Sequence, residues 1–279
     1  PCQGFSVAGK MNPDDERSKL IFTFLDVVEK VRPRFFVMEN VKALGILEKW
    51  EPVRKKYMDR AFSLGYNCAS FILNATEYGV SQKRERVFFI GFKDNNDPFF
   101  EHHMNDCIER QKNPAPTIRE LLASLGKAGT KNNPNTCTAK ITFATRPIMR
   151  KSPYAGMYFN GQGRPMCVDG YSNTLPASMG GNKTPFVDEE YLYGDASEDW
   201  VVAYHKGLTD GTITPEFTEA PSRLRRITIR EAARIQTFPD DYIFCGNKGR
   251  IYTQIGNAVP CRLAEAVAKA VVEYIKGQY

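Results

Sequence analysis

Apolar residues first recur at helical spacing over residues 18–31, where Leu20, Phe24, Val27, Val28 and Val31 predict one packed face of a helix. Residues 34–38 follow with the apolar run FFVM, the pattern of a strand buried on both sides. A helix leading into such a strand is half of a βαβ unit, so the turn-rich residues 1–6 read as the loop that leaves its first, parallel strand. A second amphipathic helix is predicted over residues 51–64 through Val53, Tyr57, Ala61 and Leu64, with Gly65 as its stop. Two further apolar segments, residues 68–73 and 87–92, are separated by a polar loop at 74–86 and are expected to pair antiparallel.

From about residue 94 to 222 the texture changes to Asn, Gly, Pro and Thr, with one clear helix at 117–125 opened by Thr117 and Glu120 in capping-box spacing. Helical patterning returns at Thr228, again with a glutamate (Glu231) three residues on, and that helix should run to about Gln236. A last helix starts near Pro260, with Leu263, Val267, Val271 and Ile275 on one stripe. The pattern therefore predicts an α/β fold in which residues 1–94 and 223–279 form one body and 95–222 a loop-rich lobe.

Composition narrows the class. With 279 residues and 42% hydrophobic content the chain can bury a sizeable core, and no apolar stretch approaches the length of a membrane span. The seven cysteines are odd in number and scattered, with no closely spaced pair that would hold a metal, so reduced thiols in a cytoplasmic setting are expected. Net charge is +6, concentrated in Lys83, Arg84 and Arg86 and in Arg223, Arg225, Arg226, Arg230 and Arg234; such knots suit a polyanion.

Chemistry enters at the strand ends. In open α/β sheets functional groups collect at the carboxyl ends of strands, which would bring Cys2 and Glu39 together as nucleophile and proton donor. Arg84 and Arg86 alternate in an extended segment and so share a side, where their guanidinium groups can bind carbonyl or phosphate oxygens.

The ordered set Pro1-Cys2-Gln3-Gly4-Phe5-Ser6, Glu39-Asn40-Val41, Asn74-Ala75 with Tyr78-Gly79-Val80, Gln82-x-Arg84-x-Arg86, the block RITIREAARIQTFP at 226–239 and Gln254-Ile255-Gly256-Asn257-Ala258-Val259-Pro260 resembles the cytosine carbon-5 DNA methyltransferases of bacterial type. The resemblance implies a Rossmann-like methyltransferase sheet with a smaller target-recognition domain at 95–222, double-stranded DNA as substrate, S-adenosylmethionine as methyl donor and a cytoplasmic or nucleoid location. It implies that Cys2 attacks a flipped cytosine, that Glu39 holds the ring, and that Arg84 and Arg86 serve the thiolate and the cytosine carbonyl. Pro1, Asn257, Ala258 and Val259 would touch the cofactor. Gln3, Ser6, Asn40, Gln82, Thr174, Leu175 and Arg225 would touch the substrate or DNA, with Arg223 and Lys151 at phosphates. The Thr174-Leu175 pair resembles the short Thr-Leu element of the family's recognition lobe. The family's glycine-rich cofactor loop has no counterpart here, so the first strands and that loop are expected to belong to a segment ahead of Pro1, in the same or a second polypeptide. Two other readings share these residues: a relative acting on transfer RNA, and a DNA-binding specificity subunit without catalysis.

Overall fold

The computed structural model describes residues 4–5 and 19–277, so the expectations for Pro1, Cys2, Gln3 and Ser6 lie outside the described residues. In chain order the first elements are α1 (Leu20–Val31), β1 (Phe35–Val41), α2 (Lys42–Ile46), α3 (Glu51–Ser63), β2 (Tyr66–Asn74), β3 (Gln82–Lys83), β4 (Glu85–Lys93) and α4 (Phe100–Glu109). There follow α5 (Ile118–Leu122), β5 (Phe143–Ile148), β6 (Met157–Phe159), β7 (Ser172–Asn173), β8 (Phe186–Asp188), α6 (Glu189–Tyr193) and α7 (Trp200–Asp210). The chain closes with β9 (Leu224–Arg226), α8 (Ile229–Ile235), α9 (Lys248–Asn257) and α10 (Cys261–Ile275). Among the described residues no helix is long and apolar enough to cross a membrane.

Two compact units result: residues 1–77, 84–112 and 265–279 form the first, and residues 78–83 and 113–264 the second. Contacts thus divide the chain differently from the division at 1–94, 95–222 and 223–279 expected from the sequence, since residues 223–264 fall in the same unit as most of the middle lobe.

The first unit is built on a sheet of order β1-β4-β2, with β4 antiparallel to both neighbours, so β1 and β2 run parallel to each other. One sheet face carries Phe36, Met38, Val87 and Phe89, which pack with Ile21, Leu25 and Val28 of α1 and Tyr57 and Ala61 of α3. On the other face Phe92 meets Phe100 of α4 at 5.7 Å and Tyr274 of α10 at 4.9 Å between ring centroids. Helices on both faces of the sheet follow from strands that bear apolar side chains on both sides.

Three sequence expectations change here. Helix α1 forms, but its buried face is Ile21, Leu25 and Val28, while Leu20, Val27 and Val31 stand 41%, 54% and 67% exposed. Strand β1 alternates in burial, with Phe35 40% exposed, because it lies at the edge of the described sheet. The segment 74–86, read as a polar loop, is largely buried: Ala75, Val80, Ser81 and Gln82 are fully covered. Its polar groups tolerate burial because they are bonded, Ser81 Oγ donating to the Pro116 carbonyl at 2.7 Å, for example.

The second unit holds two cores. One joins α5, α8 and α9 through Ile118, Leu122, Ile229, Ala232, Ala233, Tyr252 and Ile255. The other is an aromatic stack in which Tyr204 of α7 lies 4.7 Å from Phe143 and 4.9 Å from Trp200. The sequence pattern predicts no helix at α2, α4, α6, α7 or α9, although α7 carries a clear start signal in Asp199, whose side chain accepts from Val201 N. Both expected capping boxes are present, Thr117 with Glu120 and Thr228 with Glu231.

Candidate active site

Strand pairing creates the central contact. Val41 of β1 stands opposite Arg86 of β4, and Glu39 stands opposite Phe88, so Glu39 and Arg86 are diagonal neighbours on one sheet face. Their side chains meet, Arg86 Nε lying 2.9 Å from Glu39 Oε1, with 14% and 27% of the respective side chains exposed. Arg86 also donates from Nη1 to the Glu85 carbonyl at 2.8 Å, which fixes the plane of its guanidinium. Among the described residues Arg86 is the ion-pair partner of Glu39, and 27% of that carboxylate's side chain stays open to solvent.

Arg84, one residue ahead of β4, is almost fully buried (3% exposed) and its carbonyl accepts from Ala75 N at 3.0 Å. Asn40 is buried too, its Oδ1 accepting from Val41 N at 2.9 Å, which stiffens the chain just after Glu39. From the opening motif, Phe5 is fully buried and packs edge-on against Trp50 at 4.8 Å. Phe5 is a structural anchor that the motif's chemistry does not reveal; its signal in the sequence is an aromatic residue inside an otherwise polar, glycine-bearing loop.

In the second unit, Gln82 proves to be a structural centre. Its Oε1 accepts from Leu175 N at 2.9 Å and its Nε2 donates to Gln236 Oε1 at 2.9 Å. Gln236 in turn donates to the carbonyls of Ile255 (2.6 Å) and Ala258 (3.1 Å). One buried chain of amides therefore ties together β3, the Thr-Leu element, the end of α8 and the segment after α9. Gly256 adds a close approach, since a Cβ there would lie 2.5 Å from the Pro176 carbonyl oxygen. Thr174 Oγ1 donates to the Lys83 carbonyl at 2.8 Å.

This arrangement alters several expectations. Gln82 and Leu175 were expected to meet the substrate, but both are fully buried and hold the protein's own backbone. Arg225 was expected at DNA. Its guanidinium is instead engaged by Glu189 at 2.7 Å and by both oxygens of Glu231 at 2.7 and 2.9 Å. Burial opposes that charge, yet the two carboxylates more than restore it and raise the pKa above the usual arginine value. Arg223 pairs with Asp188 and Glu190, Arg234 with Asp240, and Arg226 is buried against the carbonyls of Ala139, Lys140 and Thr184. Most of the basic knot at 223–234 is thus internal wiring rather than a polyanion surface.

Asn257 ends α9 with an exposed side chain, Ala258 is its extended C-cap, and Val259 is half-buried. Burial holds the thiols of Cys68, Cys107, Cys167 and Cys261 above the ordinary cysteine pKa, that of Cys68 pushed up to about 12, which keeps them protonated and inert.

The sequence matches the family of C-5 cytosine-specific DNA methylases over residues 1–273. It is 31% identical to the Type II methyltransferase M.MthTI of Methanothermobacter thermautotrophicus, covering 99% of this chain and 78% of that protein. It is 30% identical to the Type II methyltransferase M1.HphI of Haemophilus parahaemolyticus, over 98% of this chain and 66% of that one. The S. pombe Dnmt2 methyltransferase superposes with a TM-score of 0.60 at 15% identity, over 98% of this chain and 76% of its own. The Entamoeba histolytica methyltransferase EhMeth does so at 0.59 and 15%, over 99% and 75%. These neighbours share the Rossmann-like methyltransferase fold. The sheet with helices on both faces, the Glu39–Arg86 contact at its edge and the match along nearly the whole sequence converge: the chain belongs to the C-5 cytosine-specific DNA methylase family.

Proposed function

We propose that this chain methylates carbon 5 of a cytosine swung out of a specific duplex DNA sequence, with S-adenosylmethionine as methyl donor. The observation that carries the reading is the Glu39–Arg86 pair, a carboxylate with acceptor capacity to spare beside a guanidinium held in plane. A cytosine presents complementary groups, a ring nitrogen and amine for the carboxyl and a carbonyl for the guanidinium. Cys2 adds as thiolate to carbon 6, and Glu39 donates a proton to the ring nitrogen as the negative charge arrives there. S-adenosylmethionine, when bound, would supply the methyl group to carbon 5 and leave as its thioether, S-adenosylhomocysteine; a base removes the carbon-5 proton, and Cys2 leaves by elimination. Arg86 binds the carbonyl oxygen, Arg84 supports the thiolate and its loop, Asn40 steadies the chain beside Glu39, and Gln3 and Ser6 contact the substrate strand.

Pro1, Asn257, Ala258 and Val259 contribute to the donor's site. The fit rests on the C-terminal end of α9, a ten-residue helix whose last carbonyls favour the positive charge of a sulfonium, and on the Gln236 bond that fixes the Ala258 carbonyl. Residues 95–222 serve target recognition while 1–94 and 223–279 carry catalysis, with Thr174 and Lys151 on the DNA side. Relatives named as Type II methyltransferases support a role in DNA modification.

The test is a covalent complex with duplex containing 5-fluorocytosine, formed in the presence of S-adenosylmethionine and lost in Cys2→Ser and Glu39→Ala. Methyl transfer to transfer RNA in place of duplex DNA would move the substrate class, and retention of DNA with no adduct on any duplex would favour a binding subunit.

A further inference from the structure

A cleft of about 380 Å³ opens in the second unit, lined by Lys83, Gln162, Arg164, Asn173, Thr174 and Lys183 among others. Its lining contains three cationic side chains and two amides and no carboxylate. The contrast with the arginines at 223–234 is chemical: there each of Arg223, Arg225 and Arg234 meets an acidic partner, whereas among the described residues Lys83 and Lys183 make no ion pair. The cleft is also rigidly built. The loop at 161–164 is pinned to residues 182–186, with Gly163 N donating to the Asn182 carbonyl at 2.9 Å and Phe186 N to the Arg164 carbonyl at 3.1 Å. Glycine is required on that loop, because Gly161 has φ +85° and lies against the Asn182 carbonyl. Across the cleft, Lys83 and Asn173 are register partners of the parallel β3–β7 pair, and Thr174 Oγ1 anchors the Lys83 carbonyl. Arg164 is partly engaged through Nη1 at the Ala155 carbonyl, so that among the described residues Lys183, Lys83 and Gln162 are the lining side chains open to a ligand. Lys83 is three residues ahead of Arg86 in the chain.

Three cations with no carboxylate beside them, and an amide that can donate as well, favour a partner rich in acceptors. On duplex DNA the major-groove edge with two adjacent acceptors and no donor is that of guanine, through O6 and N7; adenine adds an amino donor and cytosine presents one. The geometry points to this cleft as a specificity pocket, in which Lys183 and Gln162, backed by Lys83, read a guanine of the recognition sequence. The inference rests on the proposed action on duplex DNA and names the base chemistry of that recognition.

The experiment is selection of duplexes from a randomised library by the full chain, followed by sequencing of the retained DNA, with Lys183→Met and Gln162→Ala in parallel. Both positions are exposed, so the variants should fold. The wild type should enrich a motif containing a guanine, and the variants should lose preference at that one column by about ten- to a hundred-fold while keeping the rest. Replacing that guanine by 7-deazaguanine, which lacks N7, should weaken wild-type retention and leave Lys183→Met unaffected. An unchanged motif in both variants overturns the inference. So does a uniform loss of retention with a shallower salt dependence, which would make the cleft a phosphate contact. If the wild type retains no duplex at all, action on DNA falls and the pocket assignment falls with it.

Discussion

Two carboxylate–arginine pairs in this molecule share their chemistry and differ in what surrounds them. Glu231 is fully buried and receives four donors: two from Arg225, one from Asn133 Nδ2 at 3.0 Å and one from Thr228 N at 2.8 Å. Every acceptor position of that carboxylate is used, so the pair can only hold structure. Glu39 is 27% exposed and, among the described residues, is paired with Arg86 alone. The first pair is closed and the second open. Saturation of the carboxylate, more than burial or the identity of the partner, separates a structural ion pair from one that can take a ligand.

The sharpest way to break this contrast is Glu231→Ala, which leaves Arg225 largely buried with one carboxylate fewer and removes the partner of Thr228 N. A loss of about 3–5 kcal/mol is expected, read from the denaturant midpoint at constant slope. A loss below about 1 kcal/mol would show that the closed pair holds nothing. Gln236→Ala comes next, at about 1–3 kcal/mol for a buried partner left unpaired, because Gln82 Nε2 and two carbonyls lose their bonds. The same measurement on Gln236→Glu should also show destabilisation, since a carboxylate cannot donate to those carbonyls.

The two capping boxes give a smaller and finer comparison. Thr228 is fully buried and bonds Asn133 as well as Glu231 N, whereas the Thr117–Glu120 box is exposed. Removing a cap costs about 0.5–2 kcal/mol, so Thr228→Ala should fall near the top of that range and Thr117→Ala near the bottom. Equal values would mean that the buried cap's extra bond contributes nothing. Least of all should change in the stability of Glu39→Ala, by under about 1 kcal/mol for a partly exposed single-contact pair. Its covalent capture by 5-fluorocytosine duplex should nonetheless fall by about a hundred-fold or more. If Glu39→Ala unfolds the protein as readily as Glu231→Ala, the distinction between open and closed pairs is wrong.

Much of the frame was legible because it is local. The helix at 20–31, the antiparallel pairing of β2 with β4 and both Thr/Glu capping boxes depend on periodicity and spacing that a short window contains. Helix α4 was missed although Phe100, Met104, Cys107 and Ile108 recur at helical intervals, since the charged and polar residues around them masked the stripe. The face of α1 was misjudged for a different reason: LIFTFLDVVEKV is apolar on more than one side, and only the sheet beneath selects Ile21, Leu25 and Val28.

The sequence by itself determined the family, through motifs whose order survives without any knowledge of shape, and it determined which residue types could do the chemistry. Tertiary structure alone decided their employment. Gln82, Arg225 and Glu231 are as polar and as motif-bound as Glu39 and Arg86, but burial among partners distant in the chain commits them to the fold. A polar side chain announces its capacity to bond and not its partner; that partner lies six residues away for Arg225 and Glu231 and 154 residues away for Gln82 and Gln236, and only the folded chain selects it.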